Sequence, residues 1–102
     1  MATIFQKAVW EATRKVPKGK VTTYAAIAKL IGCPKAVRAV GSALNKNPYA
    51  PAVPCHRVVK SDGSLGGFAS GVKKKKQILE KEGIKIKNNK IINFDKKLFN
   101  II

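Results

Sequence analysis

Residues 22–46, TTYAAIAKLIGCPKAVRAVGSALNK, decide the fold that we predict for this chain. One of the two leading threonines can cap a short helix, and Gly32 can end it in the left-handed conformation that glycine readily adopts. After the Cys33-Pro34 pair, a second helix is expected to run to about Asn45. Two short helices joined by a tight, glycine-containing turn are typical of a helix-turn-helix. Any helical hairpin shares this pattern, so the motif alone leaves a purely structural interpretation open.

The second helix of this motif has an unusually bare surface. Gly41 in its interior costs about 1 kcal/mol relative to alanine, and Ala39, Ser42 and Ala43 beside it are also small. Such a helix can approach another surface closely, either a neighbouring helix or a nucleic-acid groove. The same segment is basic, and its cations include Lys35, Arg38 and Lys46.

Further elements are predicted on both sides of the motif. Apolar residues at helical spacing predict an amphipathic helix that starts near Thr3. The stretch HRVVK is a strand candidate, and VKKKKQILEKEG predicts a helix that ends at Gly83. Apolar and basic residues alternate around Asn88-Asn89, which predicts a small hairpin.

These elements predict one domain over residues 1–102, mainly α with a small β element. We expect a winged helix-turn-helix-like architecture. Its helix-turn-helix covers about 22–46, its candidate active-site segment is 54–58, and a hairpin and tail occupy about 84–102.

The charge of the chain is its most unusual property. Twenty-one Lys and Arg face five Asp and Glu, which gives a net charge of +16. Self-repulsion of that size opposes folding, and a polyanionic partner commonly offsets it. Nucleic acid is the first candidate and an acidic membrane surface the second. Lysine enrichment by an A/T-rich genome or a salty cytoplasm is a third explanation.

Membrane insertion and secretion are not expected. No apolar run approaches the roughly 20 residues of a membrane span, and MATIFQKAVW lacks a signal-peptide pattern. Two cysteines cannot build a disulfide framework. We therefore expect an intracellular protein, cytoplasmic and nucleoid-associated in a prokaryote or nuclear in a eukaryote.

The segment PCHRV, 54–58, places Cys55 beside His56, the only histidine of the chain. Structural zinc needs four Cys or His ligands and the chain has three such residues, so we expect no metal site. A thiol becomes nucleophilic near neutral pH beside a base or a positive charge. Neighbours on a strand point to opposite faces, so His56 reaches the thiol only if the segment bends, directly or through a water. A DNA-binding domain whose cysteine is buried and inert explains these sequence features nearly as well as a domain with a reactive thiol.

The carboxylates that could orient the imidazole are Glu11, Asp62, Glu80, Glu82 and Asp95. The other cysteine, Cys33, lies between Gly32 and Pro34 and is expected to be small and buried.

PCHRVV, preceded by RAVGSALNKNP and followed by GSLGGFASG and LEKEG, resembles the O6-alkylguanine-DNA alkyltransferases, also called methylated-DNA–protein-cysteine methyltransferases. The similarity runs from about Phe5 to Gly83. It implies direct, stoichiometric repair of double-stranded DNA that contains O6-alkylguanine. Such a protein flips the alkylated base out of the duplex and moves the alkyl group onto its own cysteine. No cofactor is implied, and we expect a monomer.

The resemblance also implies roles for individual residues. Cys55 is similar to the alkyl acceptor, His56 to its partner through a bound water, and Glu82 to the carboxylate that orients the histidine. Tyr24 resembles the tyrosine that donates to the leaving guanine, and Arg38 the arginine finger that fills the base stack.

The remaining implied roles concern DNA binding and the pocket. The recognition helix of the family enters the minor groove, which is only about 6 Å wide and would explain the small residues. Asn47 resembles the asparagine that braces the turn between that helix and the cysteine. The expected DNA-binding residues are Lys35, Ala39, Gly41 and Ser42, together with Arg38 and Tyr24. The expected pocket residues are Val58, Phe68, Ala69 and Lys75.

Three departures from the family pattern stand out. The usual N-terminal domain has no counterpart, so we expect the DNA-binding and transfer domain alone. Ala69 replaces a serine that many relatives carry, and Phe68 stands where tyrosine is common. Alkyltransferase-like proteins, which bind lesions without repairing them, share the short form but replace the cysteine, typically with tryptophan. Cys55 argues against that group.

Overall fold

The computed structural model describes residues 2–49, 52–68 and 71–99. The predicted N-terminal helix is confirmed as α1 (Ile4–Arg14). The Thr3 hydroxyl accepts from the Gln6 backbone N–H and the Gln6 side chain accepts from the Thr3 N–H, so a reciprocal capping box fixes where the helix begins.

The helix-turn-helix prediction is confirmed by α2 (Tyr24–Leu30) and α3 (Val37–Asn45). Thr23 is the residue that caps α2, since its hydroxyl accepts from the backbone N–H of Ala26 at 3.0 Å. Gly32 adopts φ +81° just after α2, a backbone conformation that an L side chain rarely takes. The chain can therefore turn sharply towards α3.

The strand predicted for HRVVK is only partly correct. Cys55–Arg57 forms a 3-10 helix, and only Val58–Val59 is a strand, β2, which pairs in parallel with β1 (Thr22–Thr23). The Arg57 N–H donates to the Pro54 carbonyl at 2.9 Å, and this local turn takes the place of strand pairing. The bend that would be needed for His56 to serve Cys55 is therefore present.

The second half of the chain holds a helix and a hairpin, as predicted. Helix α4 (Val72–Lys81) is followed by Gly83 at φ +92°. Strands β3 (Ile86–Lys87) and β4 (Lys90–Ile91) are antiparallel, and Asn88 and Asn89 form the turn in the left-handed conformation. A short helix, α5 (Phe94–Lys97), was not predicted.

Two hydrophobic clusters meet at the β1–β2 pair, because successive strand residues point to opposite sides. Val58 belongs to the cluster of α1, α2 and α3, and Val59 to the cluster beneath α4 and the hairpin. The C-terminal segment returns to this centre, where Phe99 N–H donates to the Val21 carbonyl at 2.8 Å. Within the described ranges, no helix is both long and apolar enough to cross a membrane.

Candidate functional site

Glu82 joins the end of α4 to the 3-10 helix that begins with Cys55. Its Oε2 accepts from His56 Nε2 at 3.0 Å and from Arg57 Nη2 at 2.7 Å, while its Oε1 accepts from Arg57 Nε at 2.9 Å. Arg57 also donates to the Val16 carbonyl at 3.0 Å. The side chains of His56 and Glu82 are only 6% and 9% exposed, so this network is largely shielded from water.

The protonation of this network follows from its contacts. Although burial favours the protonated acid, hydrogen bonds from Arg57 and His56 hold the pKa of Glu82 below its usual value. Burial lowers the pKa of His56 against the opposing effect of the Glu82 carboxylate. A carboxylate can only accept, so the hydrogen of the neutral imidazole lies on Nε2. Nδ1 then keeps the lone pair and is the basic nitrogen.

Lys75 is the most buried charged group described, with no exposed surface. Its Nζ donates to the carbonyls of Val58 at 2.6 Å, Leu65 at 2.5 Å and Gly67 at 3.2 Å. Burial lowers the pKa of Lys75 to about 8, with a smaller opposing effect from the charge of Cys55. The ammonium group therefore persists at neutral pH and ties β2 to the glycine-rich loop that follows it, residues 60–68.

Tyr24 is the first residue of α2, and its hydroxyl faces the same loop. It donates to the Gly67 carbonyl at 3.3 Å and accepts from Lys75 Nζ at 3.3 Å. Burial raises the pKa of Tyr24, as does the charge of Cys55. A β-carbon built on Gly66 would lie 3.1 Å from the Tyr24 hydroxyl oxygen, and Gly66 has φ +72°. Glycine is therefore required there for this close approach.

A cleft of about 360 Å³ opens between α3 and the 60–67 loop. This volume lies in the range of pockets that hold small organic groups. Tyr24 lines it, whereas Cys55 is not among its described lining residues, so the cleft lies beside the thiol region rather than over it. The other described lining residues are Ala25, Val37, Gly41, Asn45, Lys60, Ser61 and Gly67.

The outer face of α3 explains why this helix is so bare. Ala39 and Ser42 are exposed and therefore do not pack in the core, whereas Ala43 is buried there. Gly41 faces Tyr24, and a β-carbon on it would lie 3.9 Å from the ring, an ordinary contact. Lys35 and Arg38 are also exposed at the start of this face. Ala39 and Ser42 thus form a solvent-accessible surface beside the cleft, which Gly41 lines.

The other predicted residues are placed as follows. Asn47 donates to the Val53 carbonyl at 2.9 Å and accepts from the Tyr49 N–H at 2.9 Å, so it bridges the ends of the turn that leads to Cys55. Val58 is fully buried, and Phe68 is half-buried in the glycine-rich loop. Ala69 lies outside the described residues.

The sequence did not predict a role for Arg57, did not predict the burial of Lys75, and gave a wrong expectation for Cys33. No role was predicted for Arg57, although its position next to His56 was the available signal. Lys75 was expected in the pocket by resemblance, but its burial was not predicted because it is one of four consecutive lysines, and the other three, Lys73, Lys74 and Lys76, are exposed. Cys33 is exposed and not buried, because the turn between α2 and α3 carries it on the surface.

A family model described as "6-O-methylguanine DNA methyltransferase, DNA binding domain" matches residues 4–84. The chain belongs to this family. The match includes the Tyr24, Cys55 and Glu82 regions, while the β3–β4 hairpin of this methyltransferase-family domain lies beyond it.

Relatives of two lengths match this methyltransferase-family domain. The methylated-DNA–protein-cysteine methyltransferase of Methanosarcina acetivorans is 54% identical over 81 residues, which are 79% of this chain and 52% of that protein. The Mycobacterium tuberculosis OGT, solved in complex with DNA, has a TM-score of 0.78 at 44% identity over 81% of this chain and 51% of its own. The chain thus spans about half the length of these two methyltransferases.

A shorter relative matches over nearly its whole length. S. pombe Atl1, solved in complex with damaged DNA containing O6-carboxymethylguanine, has a TM-score of 0.85 at 31% identity. The alignment covers 98% of this chain and 99% of the Atl1 chain.

Proposed function

We propose that this domain repairs alkylated DNA directly, by moving an alkyl group from O6 of guanine to Cys55. The observation that carries the proposal is the shielded His56–Glu82–Arg57 network, which begins one residue after the cysteine. The partner is duplex DNA containing O6-alkylguanine, and no cofactor takes part. The domain acts as a monomer wherever the cell keeps its DNA.

DNA binding is assigned to the exposed face of α3. Its small residues allow the helix to enter a groove closely, and Lys35 and Arg38 at its start supply positive charge for phosphates or for the base stack. The flipped guanine would be held where Tyr24 borders the cleft between α3 and the 60–67 loop, with its alkyl group directed out of the cleft towards Cys55.

The transfer itself is a displacement at the alkyl carbon. A bond forms between that carbon and Cys55 Sγ as the bond to O6 breaks, and the electron pair stays on the guanine. The basic Nδ1 of His56 takes the thiol proton, directly or through a water, and the proton ends on the departing base. The Lys75 ammonium stabilises the thiolate that forms.

Tyr24 assists the leaving group. Because its pKa is raised, the hydroxyl stays protonated and can exchange its bond to Gly67 for a bond to the guanine ring. No described group near Cys55 offers a way to cleave the thioether product, so each molecule reacts once.

Lesion binding without transfer is the second candidate function. The near-complete match to Atl1, which was solved with damaged DNA containing O6-carboxymethylguanine, favours it. Cys55 favours transfer, because the lesion-binding relatives considered above carry another residue at this position.

Labelled methyl transfer from O6-methylguanine duplex to the protein separates the two functions. The chain offers a matched pair of cysteine variants, Cys55→Ser and the exposed Cys33→Ser. We expect label on the wild type and on Cys33→Ser, and none on Cys55→Ser, which should still prefer lesion duplex over normal duplex. Lesion-selective binding with no label on the wild type would establish the adaptor function instead. Label on Cys33 would overturn the site assignment.

A further inference from the structure

The β3–β4 hairpin has two chemically different faces. Ile86 and Ile91 are opposite each other, and Ile91 is 6% exposed within the second hydrophobic cluster. The next cross-strand pair, Lys87 and Lys90, points away from that cluster, and both residues are exposed. The core therefore holds the hairpin by one face and leaves two lysines facing solvent on the other.

Placing two like charges directly opposite each other costs stability in a two-stranded hairpin. No ion pair among the described residues involves Lys87 or Lys90. The carboxylate that interacts with Lys90 is Asp62, and it is engaged by Ser64, whose N–H and hydroxyl donate to it at 3.0 and 2.6 Å. The positive charge of this face is therefore largely uncompensated by the residues that the structure describes.

The hairpin is attached to the wall of the cleft. Ile91 N–H donates to the Gly63 carbonyl at 3.0 Å, and Leu65 N–H donates to the Asn89 carbonyl at 3.2 Å. The same loop supplies Lys60 to the cleft, opposite α3. The order across the molecule is α3, cleft, loop and hairpin, so the basic face lies beyond the cleft wall that opposes α3.

The distribution of charge leaves most cations outside the helix-turn-helix. Residues 24–46 carry four of the twenty-one, namely Lys29, Lys35, Arg38 and Lys46. Residues 84–99 carry five, with a single acid, Asp95. The cations of this segment are Lys85, Lys87, Lys90, Lys96 and Lys97.

We propose that the Lys87–Lys90 face of the hairpin is a second DNA-contact surface, which binds backbone phosphates of the same duplex beyond the cleft. The inference rests on the proposed function and extends it, since the hairpin lies outside the 4–84 family match. Phosphate contacts carry no sequence preference, so this surface raises the affinity for normal and alkylated duplex alike. It also relieves the repulsion between the two lysines when DNA is bound.

The salt dependence of binding tests this surface. The double variant Lys87→Gln/Lys90→Gln is compared with Lys7→Gln/Lys15→Gln, which removes the same charge from exposed positions at the opposite end of the sequence. Each lost phosphate contact lowers the log–log salt slope by about 0.9. The hairpin variant should therefore lose about 1.8 in slope and roughly ten- to a hundredfold in affinity at low salt. The Lys7→Gln/Lys15→Gln variant should keep the wild-type slope.

Two further measurements keep the outcomes distinct. Thermal unfolding should show the hairpin variant to be at least as stable as wild type, and each single variant should lose about half of the slope change. If the wild-type slope is steep and the hairpin variant has the same slope as the Lys7→Gln/Lys15→Gln variant, the second surface is overturned and the proposed function stands. A wild type whose affinity is flat with salt would overturn both.

Discussion

Glu82 accepts hydrogen bonds from two neighbours that share its oxygens, His56 and Arg57. The arginine balances the carboxylate charge, and the carboxylate fixes the hydrogen of His56 on Nε2. The chain contains an internal control, because Glu80 lies in the last turn of α4, two residues before Glu82, but is exposed. Position at the C-terminal end of α4, where Glu82 is the capping residue, and not the presence of a carboxylate alone, therefore decides which acid can orient the imidazole.

Glu82→Gln should slow methyl transfer by about a hundredfold and lower the free energy of unfolding by about 1–3 kcal/mol. The glutamine keeps the shape but removes the charge that accepts from His56 and Arg57. Single-turnover transfer rates and denaturant unfolding measure the two effects. Glu80→Gln should change neither by much, and equal effects in both variants would show that Glu82 has no special role.

The lowered pKa of His56 makes the fold sensitive to acid. Below about pH 6.5 the unfolded chain binds a proton at this residue that the folded chain does not, so stability falls as the pH decreases. His56 is the only histidine, so no other side chain has its usual pKa in this range. Between pH 7 and 5.5 we expect the free energy of unfolding to fall by up to about 1 kcal/mol more in wild type than in His56→Gln. Parallel melting-temperature profiles for the two proteins would contradict this.

Helix α3 and the 3-10 helix show what local sequence could and could not predict. The α2–α3 pair and the Asn88-Asn89 hairpin follow from caps, glycine and turn residues that act over a few positions. The 3-10 helix at Cys55 was missed because HRVVK has β-branched residues, whereas the turn depends on the Pro54 carbonyl. Burial of Lys75 could not be read from a run of lysines, because its partners are carbonyls from three distant positions.

Arg38 on α3 should separate binding from base flipping. A guanidinium that fills the vacated base stack stabilises only the flipped state, so Arg38→Ala should slow transfer from duplex by roughly ten- to a hundredfold. Binding to normal duplex should weaken only slightly. Free O6-benzylguanine needs no flipping, so its reaction should stay near the wild-type rate, provided that wild type accepts it.

Lys35→Ala is the matched control for Arg38, since both cations are exposed at the start of α3. A phosphate-contacting lysine supports binding to any duplex, so this variant should weaken binding to normal and alkylated duplex equally. If Arg38→Ala slows the reaction with free O6-benzylguanine as much as transfer from the duplex, the arginine supports the pocket or the fold. The assignment of Arg38 as the finger would then be wrong.

The molecule as a whole combines a small helical DNA-binding architecture with one shielded, pre-organised cysteine segment. Its two hydrophobic clusters meet at the β1–β2 pair. Strand β1 directly precedes α2, and strand β2 directly follows Cys55–Arg57. The cysteine segment and the helix-turn-helix are therefore fixed relative to each other by the core. Its length matches Atl1, whereas the methyltransferases it resembles are about twice as long. The proposed transfer depends on Cys55.

Intact-protein and peptide mass spectrometry after titration with O6-methylguanine duplex tests the central claim most directly. We expect one methyl group per chain, located on Cys55, with no further increase when excess lesion DNA is added. An unchanged mass at DNA concentrations that saturate binding, or a methyl group on any other residue, would contradict the assignment of Cys55 as the alkyl acceptor.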